Sequence, residues 1–383
     1  MTLPEVHRTD GPRSQPADGP EQVLRAGSPH RQGGRPPSAK RDDDGIIAAL
    51  EGAYPLGRWR SWRRTDLGAS NASWFLETDA GGFVLRRSHR LKTEAGARFE
   101  CALLDLLCQS GFPAPEVQRT RAGDVLVELD GVIHMVMSRL PGNSFDGGST
   151  VHRAAAARGL GRYHAIVSEL AAPAATNRSF ALARLGPGGR ESLAAAVETV
   201  CPRLDGEARE TLQFRAGYLA GEMARLEQQL GDRQDELSTV VVHGSYGPTA
   251  VLLTDDRLTG VVDFDRAEVD LLGLDLAYAL DAFCRPGPVR RMGIGLDQRL
   301  VRGFLTHYRP QAPASDADLG AVPALFPAQR LGKVLKKCDN VLTTHALAPE
   351  QDKHVTNFPR VIEREYARVR WLSDNLSTLM EAR

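Results

Sequence analysis

The sequence predicts an α+β protein, with a small antiparallel sheet in the first part of the chain and a larger, mainly helical second part. Three observations lead there. Residues 65–87 and 125–137 hold apolar–polar alternations broken at Gly81-Gly82 and Asp130-Gly131, the pattern of hairpins. Residues 153–169 and 206–230 carry apolar positions at helical spacing, and residues 296–383 are mostly helical in pattern, interrupted by prolines. Between those helical runs, residues 240–264 return to β-branched segments at 240–242, 251–253 and 258–264, with Asp263 near the last strand's end.

Composition sets the outer bounds. A chain of 383 residues suffices for one two-lobed domain or two small ones. With 42% hydrophobic and 25% charged residues it has the make-up of an ordinary globular protein. A formal net charge of zero gives no electrostatic reason to expect nucleic acid or an anionic membrane as a partner. No apolar run is long enough to span a bilayer, and the N-terminus lacks a basic-then-apolar leader, so a cytoplasmic location is expected. Cys101, Cys108, Cys201, Cys284 and Cys338 show no CxxC spacing and read as free thiols.

In chain order, residues 1–44 contain no Phe, Trp or Tyr and are rich in Pro and Gly. They cannot bury enough apolar surface to offset their ordering entropy and are expected to form a disordered tail. Residues 45–140 are the expected first lobe. It starts with a short helix from Gly45 and a strand through RWRSWRR, around Trp59 and Trp62. Aromatics between arginines can stack bases, but in so short a run a packed strand with solvated arginines is the better account. The 65–87 hairpin follows, with a loop at Gly68-Ala69-Ser70-Asn71 whose backbone could lie over phosphates. Residues 98–107 read as a helix with Phe99, Leu103, Leu106 and Leu107 on one face and Glu100 pointing away from it. Residues 141–383 are the expected helical lobe, with loops at 171–190 and 285–292, and His164 packed and hydrogen-bonded within its helix.

Residues 240–279, VVVHGSYGPTAVLLTDDRLTGVVDFDRAEVDLLGLDLAYA, resemble the catalytic core of the aminoglycoside phosphotransferase and choline kinase family. His243-Gly244 opens the loop as the family's HGD-four residues-N motif does, and Val262-Asp263-Phe264-Asp265 is similar to its IDFD. Leu274-Asp275-Leu276-Ala277 matches part of its G-D-P-x-x-D-L-A stretch. Ser70-Asn71 is similar to the family's GxSN hairpin, Arg86 falls at its nucleotide-binding cation, and Glu100 at the helix glutamate that pairs with that cation. The turn from Gly111 to Pro115, the hinge from Ser138 to Gly142 and the helix around Leu160 and His164 are similar as well. The resemblance implies a two-lobed protein-kinase-like fold, with ATP and Mg2+ as cofactors. It also implies an acceptor pocket for a small molecule or peptide in the helical lobe.

Two positions depart from the pattern. Ser245 stands where the family has its catalytic Asp, and Ala250 where it has a metal-binding Asn, while Asp263 remains as the metal carboxylate. Losing a general base costs about 10²- to 10⁴-fold in rate. Asp265 and His243 are conceivable substitute bases, although His243 is better suited to holding the loop. On these residues the first reading is a pseudokinase with impaired or absent activity, serving as a nucleotide- or partner-binding module, as in a biosynthetic pathway. The alternative is an active ATP-dependent kinase that phosphorylates a hydroxyl of a small molecule or a peptide Ser/Thr. A third reading turns the fold to different chemistry on a nucleotide or peptide.

Overall fold

Hairpin patterns in the first part of the chain become a five-stranded antiparallel sheet. The computed structural model describes residues 42–65, 71–90, 92–169, 180–287, 294–347 and 353–380. Most of the expected tail, and Ser70, lie outside them. Strands β1 (Trp59–Arg64), β2 (Ala72–Thr78), β3 (Gly81–Arg87), β4 (Val127–Leu129) and β5 (Val132–Ser138) pair in the order β1-β2-β3-β5-β4. Asp130 and Gly131 between β4 and β5 have φ 54° and 70°. Two such residues suit a tight hairpin turn whose twist matches the strands.

Period-two alternation decides what each face of this sheet meets. In β5, Val136 points to one side, where it packs with Trp74, Leu76 and Leu85 beneath α1 (Asp43–Glu51). Asp42, expected in the tail, is instead the N-cap of α1, accepting the Gly45 N–H at 2.8 Å. Met135 and Met137 point to the other side, toward α2 (Glu94–Gln109). That helix buries Ala97, Cys101, Leu103, Leu104 and Leu107, and also Glu100, which the sequence pattern had pointed outward. Arg86 follows Leu85 on β3 and therefore faces Glu100.

Beyond the hinge the second lobe holds short sheets among helices. Strand β7 (Thr239–Val242) pairs with β10 (Glu268–Leu271), while β6 (Asn143–Ser144), β8 (Val251–Thr254) and β9 (Arg257–Val261) pair in the order β6-β8-β9. Around them lie α3 (Thr150–Ser168), α4 (Pro187–Val200), α5 (Gly206–Gly231), α6 (Leu272–Phe283), α7 (Gln298–Tyr308), α8 (Asp316–Leu347) and α9 (Lys353–Met380). Helix α3 can approach the central strands closely because its inner face is small. A Cβ at Gly159 would come within 2.7 Å of Tyr246 Oη.

Three expectations need correction. The strand expected to reach Phe264 stops at Val261, because Asp263 takes a left-handed conformation (φ 73°, ψ 48°) and Phe264–Arg266 form a 3₁₀ turn. The loop expected over 171–190 already contains the start of α4, whose Pro187 occupies a first-turn position where a missing N–H is no loss. Pro323 and Pro327 lie inside α8 and Pro359 inside α9, rather than ending those helices. An interior proline costs about 3 kcal/mol or more. In α8 the burial of Leu325, Phe326, Leu331, Val334 and Leu335 outweighs that cost.

Helix α8 also anchors the strand that feeds the central loop. Ser315 and Asp318 form a capping box: Ser315 Oγ accepts the Asp318 N–H at 3.0 Å, and Asp318 Oδ2 accepts the Ser315 N–H at 2.8 Å. The same carboxylate, 1% exposed, accepts the Ser238 N–H and Oγ–H, each at 2.7 Å, immediately before β7. Removing it strands several buried donors at once. Asp318→Ala is expected to lower unfolding stability by about 3 kcal/mol, and Ser315→Ala by only about 1 kcal/mol. Urea denaturation of the two variants checks this, and equal losses would show that the carboxylate does not clamp the strand.

Candidate active site

The apolar run of β7 delivers His243 to the centre of the second lobe, where its ring is fully buried among Tyr163, Tyr246 and Phe264. Nε2 lies 3.1 Å from the Val262 carbonyl, so that nitrogen carries the proton, and Nδ1 is left to accept the Ser245 N–H at 3.3 Å. Burial pushes the imidazole pKa below its ordinary value and keeps it neutral. A ring so enclosed steadies the loop and cannot touch an acceptor.

Asp275, in the first turn of α6, supplies the other half of that support. Its carboxylate accepts the His243 N–H at 2.8 Å and the Gly244 N–H at 3.0 Å, and His164 Nε2 lies 3.2 Å away. Burial alone would raise this acid. The hydrogen bond and charge of His164, together with the His243 backbone N–H, outweigh that effect and hold it below the ordinary carboxylate range. Gly244 is required here for two reasons: its φ is 73°, and a Cβ would meet the Arg266 carbonyl at 2.5 Å.

Neither departure from the motif leaves a ligand atom in the cleft. Ser245 is buried, and its Oγ donates to the Asp263 carbonyl at 2.8 Å. Ala250 is fully buried, its N–H bonded to the Gly247 carbonyl and its carbonyl to the Val262 N–H.

The acidic side of the site is joined to the first lobe by a chain of charges. Arg86 Nη1 stands 2.7 Å from Glu100 Oε1, and Lys92 Nζ stands 3.2 Å from Glu100 Oε2. Lys92 also donates to the Asp265 carbonyl at 3.0 Å. Asn71 Nδ2 donates to Asp265 Oδ2 at 3.0 Å, while Asn71 Oδ1 accepts the His89 N–H. Asp265 is therefore occupied as a bridge between the lobes. Arg86, Asn71, Glu100, Asp263 and Asp265 thus come together around one cleft, whereas Ser245, Ala250 and His243 form its inner wall. Lys92 was not foreseen: nothing in its sequence surroundings distinguishes it from the neighbouring arginines.

Asp263 is the one acid of this group open to the cleft. Partial burial, then the charge and hydrogen bond of Asp265, push its carboxyl up to about 6. Two close carboxylates resist double ionisation, and a cation between them relieves the repulsion. Because the folded-state value lies above the unfolded one, the folded form gains stability from the proton on Asp263 below about pH 4. That gain is lost as pH rises through about 6. Asp263→Asn should therefore raise the Tm of chelator-treated protein above pH 6 and leave it nearly unchanged at pH 4. Thermal denaturation across that range checks this, and a gain that grows on acidification would contradict it.

Comparison with known proteins bears on the family and the fold. A family model described as the phosphotransferase enzyme family matches residues 61–316. Homoserine kinase from Xanthobacter autotrophicus is 27% identical over 280 residues, covering 73% of this chain and 80% of that protein. Among solved structures, amicoumacin kinase in complex with AMP-PNP, Ca2+ and Ami superposes with a TM-score of 0.60 at 15% identity, covering 84% of this chain and 93% of that one. A microcompartment-associated aminopropanol kinase gives 0.61 at 16% identity, covering 88% and 98%. The architecture they share is the two-lobed protein-kinase-like fold, a sheet lobe followed by a helical lobe.

Proposed function

The chain belongs to the phosphotransferase enzyme family, and from that premise we propose that it is an ATP-dependent kinase acting on a hydroxyl of a small molecule. The observation that carries this reading is the linked set Arg86–Glu100–Lys92, with Lys92 donating to the Asp265 backbone carbonyl beside the coupled carboxylates of Asp265 and Asp263. A chain that no longer handled nucleotide would have no reason to keep a buried ion pair facing two cleft carboxylates. Burying such a pair is at best neutral for stability.

The residues fit a nucleotide and a divalent cation, with fewer protein ligands than the motif provides elsewhere. Arg86 Nε is a buried donor with no partner among the described residues, on the strand where a phosphate-binding cation belongs. Asp263 and Asp265 form a hard oxygen donor pair, and Mg2+ commonly takes one or two carboxylates and completes its shell with phosphates and water. Bound there, Mg-ATP supplies the γ-phosphoryl group. Arg86 would hold phosphate oxygens, with Glu100 and Lys92 fixing its position. Asp263 would face the cation, and Asn71 and Lys92 would keep the lobes in register through Asp265.

Ser245 offers no base, because its hydroxyl is committed to the Asp263 carbonyl. That slows the reaction without forbidding it. The transition state for phosphoryl transfer is loose, and positioning with charge stabilisation does most of the work. Ser245 and Ala250 taken alone favour the second reading, a nucleotide- or partner-binding module without turnover. The retained linked set, together with relatives named homoserine kinase, favours the active one. Those names make a small amino alcohol the first acceptor class to test.

ATP turnover with L-homoserine as acceptor should exceed that of an Asp263→Ala control. The Ser245→Asp/Ala250→Asn double variant should raise kcat by up to about 10²- to 10⁴-fold. Wild-type turnover no faster than the Asp263→Ala protein would establish the binding module instead.

A further inference from the structure

Three helices of the second lobe bring together charged side chains that the proposed phosphoryl transfer does not use. Asp281 and Arg285 belong to the α6 end, Arg330 and Lys333 to α8, and Glu365 and Arg368 to α9. Asp281 accepts from Arg285 Nε and from Arg330 Nη1, both at 3.1 Å, and Glu365 accepts from Arg330 Nε at 2.7 Å. All four of these side chains are buried. Arg364 Nε donates to the other Glu365 oxygen at 2.9 Å, so Arg285, Arg330 and Arg364 together satisfy the two carboxylates.

Two cations are left over. Lys333 Nζ lies 4.5 Å from the centre of the Tyr278 ring and forms no ion pair or hydrogen bond among the described residues. Arg368 reaches Glu365 only at 3.9 Å, and its Nε is buried without a hydrogen-bond partner among the described residues. Burial first, then repulsion from Arg330 and Arg285, pushes Lys333 down to about 7 and Arg368 down to about 10. Both are half-buried, and the carboxylates nearest them, Asp281 and Glu365, are already engaged by other arginines. Cations that outnumber the carboxylates of a partly desolvated site collect where a ligand completes them.

The surplus lies beside the central loop. Tyr278 carries Lys333 over its ring, and its Cε1 would stand 3.7 Å from a Cβ at Gly247, two residues after Ser245. A molecule anchored at Lys333 and Arg368 would extend along Tyr278 toward Asp263.

We infer that Lys333 and Arg368 bind the carboxylate of the acceptor, so that the molecule phosphorylated is a small hydroxy acid or hydroxy amino acid. The guanidinium edge of Arg368 donates in parallel to the two oxygens of a carboxylate, and Lys333 adds a point charge. The nucleotide phosphates are the other anion at hand, but they are assigned to Arg86 in the opposite lobe. This inference deepens the kinase reading and rests on it for the word acceptor. The anion site itself can be tested without turnover.

L-homoserine and 3-amino-1-propanol are the probes. They share a hydroxyl and an amine, and only the first has a carboxylate. Full-length protein is titrated with each in the presence of a non-hydrolysable ATP analogue, and turnover is followed in parallel with ATP. L-homoserine is expected to bind at least about tenfold more tightly than 3-amino-1-propanol. Arg368→Gln and Lys333→Met should each weaken L-homoserine by about tenfold, leaving 3-amino-1-propanol and the nucleotide analogue unaffected. Both variants should keep or raise the Tm, because each relieves repulsion from Arg330 and Arg285, whereas loss of a purely structural cation would lower it. Equal affinity for the two probes, no binding of either, or parallel loss of both in the variants overturns the inference. Selective L-homoserine binding without turnover upholds the anion site and defeats only the kinase reading.

Discussion

The second lobe depends on one buried carboxylate. Asp275 is 2% exposed and gathers two backbone N–H groups of the loop and the His164 ring from a position at the positive end of α6. Fixing His243 and Gly244 from below leaves the rest of the loop free to change. Ser245 can turn its hydroxyl inward and Ala250 can be a plain apolar contact, because neither holds the backbone in place. The loop's geometry and its chemistry are separable, so a loop of ordinary shape says little about rate. What bears on rate is which atoms face the cleft, and there Asp263 is prominent.

What sequence reading reached, and what it missed, follows the range of each interaction. The hairpins, the helices of both lobes and the placement of Arg86, Asp263 and Asp265 rest on local alternation and motif spacing, signals that survive in one dimension. Glu100 lies off the apolar stripe, as its spacing indicates, and the pairing with Arg86 that the resemblance implies is present. Spacing alone did not reveal its burial, because a helix that packs on two sides has no single apolar stripe. Glu100 lies between the sheet and the loop, and Arg86 and Lys92 compensate its charge. Asp263 was placed at a strand end, but its left-handed backbone was not foreseen, since Asp is only occasionally found there. The prolines of α8 and α9 misled for a related reason: helix-breaking is a local cost, and tertiary burial overrides it.

The bridge at Asp265 shows how the lobes communicate. Its side chain holds Asn71 and its backbone holds Lys92, so one residue, two beyond Asp263, carries both attachments to the first lobe. Shifting Asn71 or the Arg86–Glu100 pair would therefore be felt two residues away at Asp263, through a short covalent and hydrogen-bonded path. That proximity explains why the cation pair, the bridge and the cleft acid read as one unit.

The two ionic clusters obey the same electrostatics and end in different states. In the first lobe, Glu100 lies between Arg86 and Lys92, and the carboxylates of Asp263 and Asp265 face the surplus positive charge, so that cluster is close to balanced within the protein. In the second lobe, Asp281 and Glu365 are held by Arg285, Arg330 and Arg364, with Arg368 only at 3.9 Å from Glu365, so Lys333 and Arg368 exceed the carboxylates at hand. A chain of zero formal charge can hold such an imbalance because net charge sums over the whole surface and is blind to where charges are buried. An apolar residue at position 333 or 368 would pack there at lower cost. The energetic logic that makes these two cations a liability in the free protein is the logic that would make an anionic occupant bind well.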